Sequence, residues 1–183
     1  MAEATVSAAQ VRARRDPTFP GFDTYLDDRM RAVLPACIRQ GTRIISNQGW
    51  INPEGAARRI VALLQGMGHH GIKVAAVSGS LITERVLELT DRILENREPT
   101  ASLAPTLISA EVYLGAEPIV DALKAGAQIV ITGRVADPSI FMAPMMFEFG
   151  WDPLDHDHLG QGNGIGHLME CGAQVTGGYF SDP

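Results

Sequence analysis

Gln128-Ile-Val-Ile-Thr132, running straight into Gly133-Arg-Val-Ala-Asp-Pro138, decides the fold of this chain. Isoleucine and valine stiffen χ1 and favour extended backbone, and a short, uninterrupted apolar run suits a strand buried on both faces. Such strands belong to parallel sheets covered by helices. Working outward, Pro118 to Ala125 reads as a short helix stopped by Gly126, and Ser139 to Phe149 as an apolar, methionine-rich helix. Met142, Met145, Met146, Phe147 and Phe149 on that helix read as core packing, with a greasy substrate wall as the alternative.

The same alternation continues upstream. Residues 1 to 15 favour helix and Asp16 to Gly21 break it. Thr24 is expected to cap a helix reaching about Gln40, with Leu26, Met30, Val33, Leu34 and Cys37 on one stripe. Thr42 to Ser46 reads as a strand, and Asn52-Pro53 as a helix start with asparagine as the cap and proline in the first turn. Ile72 to Val77 is the next strand, Leu81 to Asn96 a further helix, and Leu107 to Val112 another strand. Trp151 to His158 carries no periodicity and reads as a connection. Strands alternating with helices predict one α/β domain over 1–183, three-layer-like, with a mostly parallel sheet of about four or five strands.

Length and charge bound the rest. The chain has 183 residues and a formal charge of −6, which disfavours a nucleic-acid surface. Two cysteines, Cys37 and Cys171, make no disulfide framework, and no apolar run approaches membrane length. The expected setting is cytoplasmic, with no nucleic-acid or membrane partner.

Ligands of parallel sheets bind beyond the carboxyl ends of the strands. Those ends carry Asn47, Gln48 and Gly49; Ser78, Gly79 and Ser80; Glu111, Tyr113 and Gly115; and Thr132, Gly133, Arg134 and Asp137. Arg134 could clamp a carboxylate or phosphate, or pair with Asp137 and stiffen the turn. His167, Glu170 and Cys171 stand at helical spacing, so a helix would project them together for acid/base work. His156 and His158 lack any recognised zinc spacing, and no metal is expected. Cys171 could be a nucleophile beside histidine or an ordinary buried thiol. The alternating glycines from Gly160 to Gly166 read as a mobile loop, or as an approach to a helix N-terminus where an anion could bind.

Four segments carry a resemblance: Asn47-Gln-Gly-Trp-Ile-Asn-Pro53, Tyr113-Leu-Gly-Ala-Glu-Pro118, Thr132-Gly-Arg-Val-Ala-Asp-Pro138 and Gly166-His-Leu-Met-Glu-Cys-Gly-Ala-Gln-Val-Thr-Gly-Gly178. With these the chain resembles the acyclic terpene utilisation (AtuA-like) family, bacterial proteins linked to citronellol and geraniol breakdown. The resemblance spans nearly the whole chain. It implies longer relatives, so this chain would be an internal piece of the family's N-terminal domain. The remainder of that fold would then be a missing partner, and the piece could be inactive alone. Ser78 to Ser80 and Glu111-Val112 depart from the family pattern.

The family's association implies a branched acid, free or linked to coenzyme A, as substrate. Catalytic roles are expected for His167, Glu170 and Asp137. Substrate contacts are expected for Asn47, Gln48, Asn52, Ser78, Tyr113, Thr132, Arg134, Gln174 and Thr176. No cofactor is expected beyond coenzyme A as part of the substrate. The activity would be of lyase, hydratase or isomerase type; the alternative is a ligand-binding subunit serving a carboxylase or hydratase. A homo-oligomer is compatible with either.

Overall fold

The computed structural model describes residues 3–177. The motif positions Gly178 to Phe180, with Asp182 and Pro183, lie outside them. Three parallel strands form the sheet, β1 (Ile44–Ser46), β2 (Val74–Val77) and β3 (Ile129–Thr132), in the order β1-β3-β2. Register places Ile45 and Ala75 on either side of Val130. All four residues of β3 are buried, as its apolar run predicts for a central strand. The sheet has three strands among the described residues, not four or five.

Helices cover both faces. Ile129 and Ile131 point into a core with Leu26, Met30 and Leu34 of α2 (Leu26–Gln40) and Ile60, Leu63 and Leu64 of α3 (Pro53–Gly66). Val130 points the other way, against Ile119, Val120 and Leu123 of α5 (Glu117–Lys124) and Ala143 and Met146 of α6 (Ser139–Phe149). Successive strand residues face opposite sides, so one four-residue strand anchors both cores. Truncating Ile131 to alanine is expected to cost about 3 kcal/mol.

Local chemistry sets the helix ends. The Asn52 side chain accepts from Gly55 N at 2.9 Å and caps α3, with Pro53 in its first turn. Thr24 does not cap α2; instead Asp23 Oδ1 accepts from Tyr25 N at 2.9 Å and shapes the entry. α1 (Glu3–Arg15) is the helix expected at the amino end.

Three segments differ from the sequence reading. Helix α4 covers only Thr83–Glu88 and buries no residue, so nothing rewards its extension to Asn96. The chain turns instead at Arg97, in the left-handed region (φ 61°), with Ile93 N bonded to Glu98 O. Leu107 to Val112 does not join the sheet. Ile82 N bonds Ala110 O at 2.9 Å and Val112 N bonds Ser80 O at 2.8 Å, stitching this segment antiparallel to the tail of β2. Further on, Ala136 N bonds Leu114 O at 2.8 Å, tying it to the tail of β3. The expected strand is therefore a strap across the carboxyl ends of β2 and β3.

The third difference is the glycine run, which is not a loop but the body of α7 (His156–Cys171), capped by Asp155 accepting from His158 N at 3.1 Å. A Cβ on Gly166 would meet Pro138 Cβ at 2.6 Å, and one on Gly162 would meet Trp151 Cζ3 at 2.7 Å. These two glycines lie four apart on one face and let the helix approach α6 and the β3–α6 turn closely. A Cβ on Gly160 or Gly164 would meet nothing within 4 Å. The methionine-rich helix α6 buries Met146, but Phe149 is 72% exposed and lies outside the core.

Candidate ligand site at the carboxyl ends of the strands

The turns after the strands converge. Gly49 N bonds Thr132 O at 3.1 Å, and Gly133 N bonds Val77 O at 3.1 Å, so all three tails are laced together. The approach is close enough to require glycine: a Cβ on Gly49 would sit 2.6 Å from Thr132 O, and one on Gly133 would sit 2.9 Å from Trp50 O. Trp50 itself holds a left-handed backbone (φ 45°), a conformation that bulky residues adopt only when the surroundings impose it.

Arg134 is 3% exposed, forms an ion pair with Asp137, and lies with its guanidinium carbon 4.2 Å from the centroid of the Tyr113 ring. A buried guanidinium between a carboxylate and an aromatic face is fixed in position. Arg134 and Tyr113 line a pocket of about 170 Å³ with Glu111, Ser109, Val6 and Ser7. Glu111 is held from two sides, by Ser80 Oγ donating at 2.7 Å and Gln10 Nε2 donating at 2.9 Å. α1 thus packs across the strand ends and closes one wall.

Other predicted contacts are placed as follows. Gln48 is buried, donates to Asp23 Oδ2 at 2.8 Å and accepts from Ser46 Oγ at 3.1 Å. Asp23, 2% exposed, also receives Arg29 Nη1 at 2.6 Å. Asn52 is engaged at both ends of its carboxamide, by the α3 cap and by Pro20 O at 2.8 Å. Thr132 is fully buried and donates to Gly133 O at 3.0 Å. Asn47 is half-buried in the same turn. Ser78 is exposed, and its hydroxyl bonds the Glu54 carboxylate, holding that group below the usual carboxylate range.

The second cluster sits on α7 and the turn after it. Gly166 touches Pro138, which places this end of the helix against the Asp137 turn. His167 is exposed and Glu170 half-buried. Cys171 Sγ donates to Glu170 Oε2 at 3.2 Å, and that bond, with the charges of Glu170 and Asp137, pushes the thiol pKa up. A raised pKa keeps the sulfur protonated, the opposite of an activated nucleophile. Gln174 and Thr176 are exposed in a 3₁₀ turn (Gly172–Thr176), where Thr176 Oγ1 bonds Ala173 O at 3.0 Å.

His158, read from sequence as a loop histidine, bonds Asp155 at 2.6 Å beside the Trp151 ring at the start of α7. No group of three His, Cys, Asp or Glu among the described residues is arranged to hold a metal ion, and no helix there is long and apolar enough to cross a membrane.

Sequence reading passed over Gln10, Asp23 and the holding of Glu111. The bonds Gln10–Glu111, Gln48–Asp23 and Ser80–Glu111 span 101, 25 and 31 residues, and the local partners of Asp23 (Tyr25 and Arg29) do not reveal its link to Gln48. None of the curated proteins and none of the solved structures compared with the chain matches it. The model of one family, described as acyclic terpene utilisation family protein AtuA, matches residues 1–183. With its full length covered by that family's model, this chain belongs to the acyclic terpene utilisation family.

Proposed function

We propose that this protein takes part in acyclic terpenoid breakdown by binding a branched acid, free or as its coenzyme A thioester, at the carboxyl ends of its strands. The observation that carries the reading is the buried Arg134 guanidinium, oriented by Asp137, in the wall of the pocket that also holds Tyr113 and Glu111. A preset fork suits a carboxylate or a polarised thioester carbonyl, since little conformational freedom remains to be lost on binding. Tyr113 supplies an apolar face for branched carbon. Asn47 and Ser78, in the turns after β1 and β2, would add polar contacts to the substrate.

The reaction proposed is of lyase, hydratase or isomerase type, in the cytoplasm of a bacterium. His167 and Glu170 would serve as the proton-transferring pair, with Gln174 and Thr176 contacting substrate from the same end of the fold. An imidazole ring nitrogen can both take and return a proton, which all three reaction classes need. Asp137, placed between Arg134 and α7, would couple anion binding to that pair.

The test is turnover. Purified protein is incubated with branched unsaturated acids and their coenzyme A thioesters, and products are followed by mass spectrometry. Product formation should fall by about 100-fold or more in His167→Ala. Equal turnover in wild type and His167→Ala would remove the catalytic assignment. Turnover only after addition of a carboxylase or hydratase would reassign the chain as a ligand-binding subunit.

A further inference from the structure

A larger cavity, of about 690 Å³, lies beside the strand-end pocket and takes no part in the reading above. Gln10 and Arg14 of α1, Gly79, Leu81 and Arg85 after β2, and Ile108 of the strap bound it. Leu81 and Ile108 are 52% and 43% exposed, so its walls offer apolar surface to whatever enters. The charges facing it are Arg14, Arg85 and Glu84. Arg14 donates to the backbone carbonyls of Leu107 and Ile108, neutral acceptors that leave its positive charge uncompensated. Among the described residues, neither Arg14 nor Arg85 is within ion-pair distance of a carboxylate. Glu84 and Arg85 are consecutive on α4 and form no ion pair with each other, although both line the groove.

Two arginines against one carboxylate, flanking exposed apolar side chains in a chain of net charge −6, describe a groove for an anion-ended chain rather than for a second protein surface. The groove also shares a wall with the smaller pocket: Gln10 lines it while its amide holds Glu111 inside the pocket. Volumes separate the roles. Sites for whole ligands occupy about 300–1,000 Å³, so the small pocket suits a head group and the groove suits the remainder.

We propose that the groove is the second half of a bipartite site. It holds a flexible, phosphate-ended arm whose acyl head lies in the Arg134 pocket. Arg14 and Arg85 take the phosphate, and Leu81 and Ile108 cover the chain leading to it. This rests on the strand-end reading of function, and it adds that an acyl thioester with a phosphorylated arm binds better than the free acid.

The test is calorimetric titration of the full chain with three probes: a branched free acid, coenzyme A and inorganic phosphate. Arg85→Glu should weaken coenzyme A about tenfold more than it weakens the acid. Leu81→Asp should do the same, and neither side chain is buried, so both variants should fold. Coenzyme A binding that is equal in wild type and both variants would overturn the groove. So would inorganic phosphate binding as tightly as coenzyme A, since the arm would then contribute nothing. If the acid binds and coenzyme A does not, the groove falls and the strand-end reading stands. If coenzyme A binds with this sensitivity and the acid does not, the groove stands alone. If neither binds, both readings fall.

Discussion

The two ends of this small parallel sheet are built on opposite plans. At the carboxyl end, Asp23, Gln48, Ser80, Thr132, Arg134 and Ser139 are all buried; of the buried polar residues among those described, only Thr100 lies elsewhere. At the amino end a cavity of about 630 Å³ opens between Arg43, Ile45, Leu123, Phe147 and Glu148. It is far larger than the Arg134 pocket, yet its ion pair, Arg43 to Glu148 at 3.0 Å, stays in solvent with side chains 41% and 61% exposed. Burying a polar group costs free energy unless its hydrogen bonds are replaced. Polar groups concentrated at one end, and mostly hydrogen-bonded there, therefore mark a built arrangement. The opening at the other end is what remains where an edge strand meets a helix.

That contrast can be broken most severely through Arg134. Its replacement by alanine leaves Asp137 and the Tyr113 face without the buried cation, and about 3 kcal/mol of stability should go, read as a lower urea midpoint. Gly166→Ala comes next, because its methyl must displace Pro138 from a 2.6 Å approach; a loss of about 2 kcal/mol is expected. Gly164→Ala on the same helix meets no neighbour and should gain about 0.5–1 kcal/mol, raising the melting temperature. A loss from Gly164→Ala would mean that the open face of α7 is covered.

At the amino end, Arg43→Ala should change stability by no more than about 0.5 kcal/mol. A larger loss would erase the distinction between the two ends. The smallest effect concerns pH. Ser78 lowers the pKa of Glu54, so that hydrogen bond stabilises the fold above the ordinary carboxylate range and is lost as pH falls through the folded pKa. Ser78→Ala should accordingly be slightly less stable than wild type at pH 7, and in paired acid titrations the gap should close as pH falls through the lowered Glu54 pKa.

Much of this plan was legible in the residues. The β-branched run at Ile129 to Ile131 announces a central strand, Asn52-Pro53 announces a capped helix, and Arg134 with Asp137 forms the local ion pair that its spacing allows. What misled was information held in distant partners. Leu107 to Val112 has strand composition, but its hydrogen bonds go to Ser80 and Ile82, and composition does not name a partner. The glycines of α7 oppose helix by propensity, yet packing against Pro138 and Trp151 outweighs that cost at Gly162 and Gly166. Leu81 to Asn96 has helix-forming residues but no buried face to hold a long helix. The converging turns were foreseeable; Gln10 reaching across 101 residues to hold Glu111 was not.

The most direct measurement is amide hydrogen exchange with and without a branched acid. Slowed exchange is expected in residues 46–50, 77–82, 110–114 and 132–137, with residues 41–43 and 123–128 unchanged. Protection confined to the amino-end cavity, with the strand-end turns exchanging as before, would contradict it.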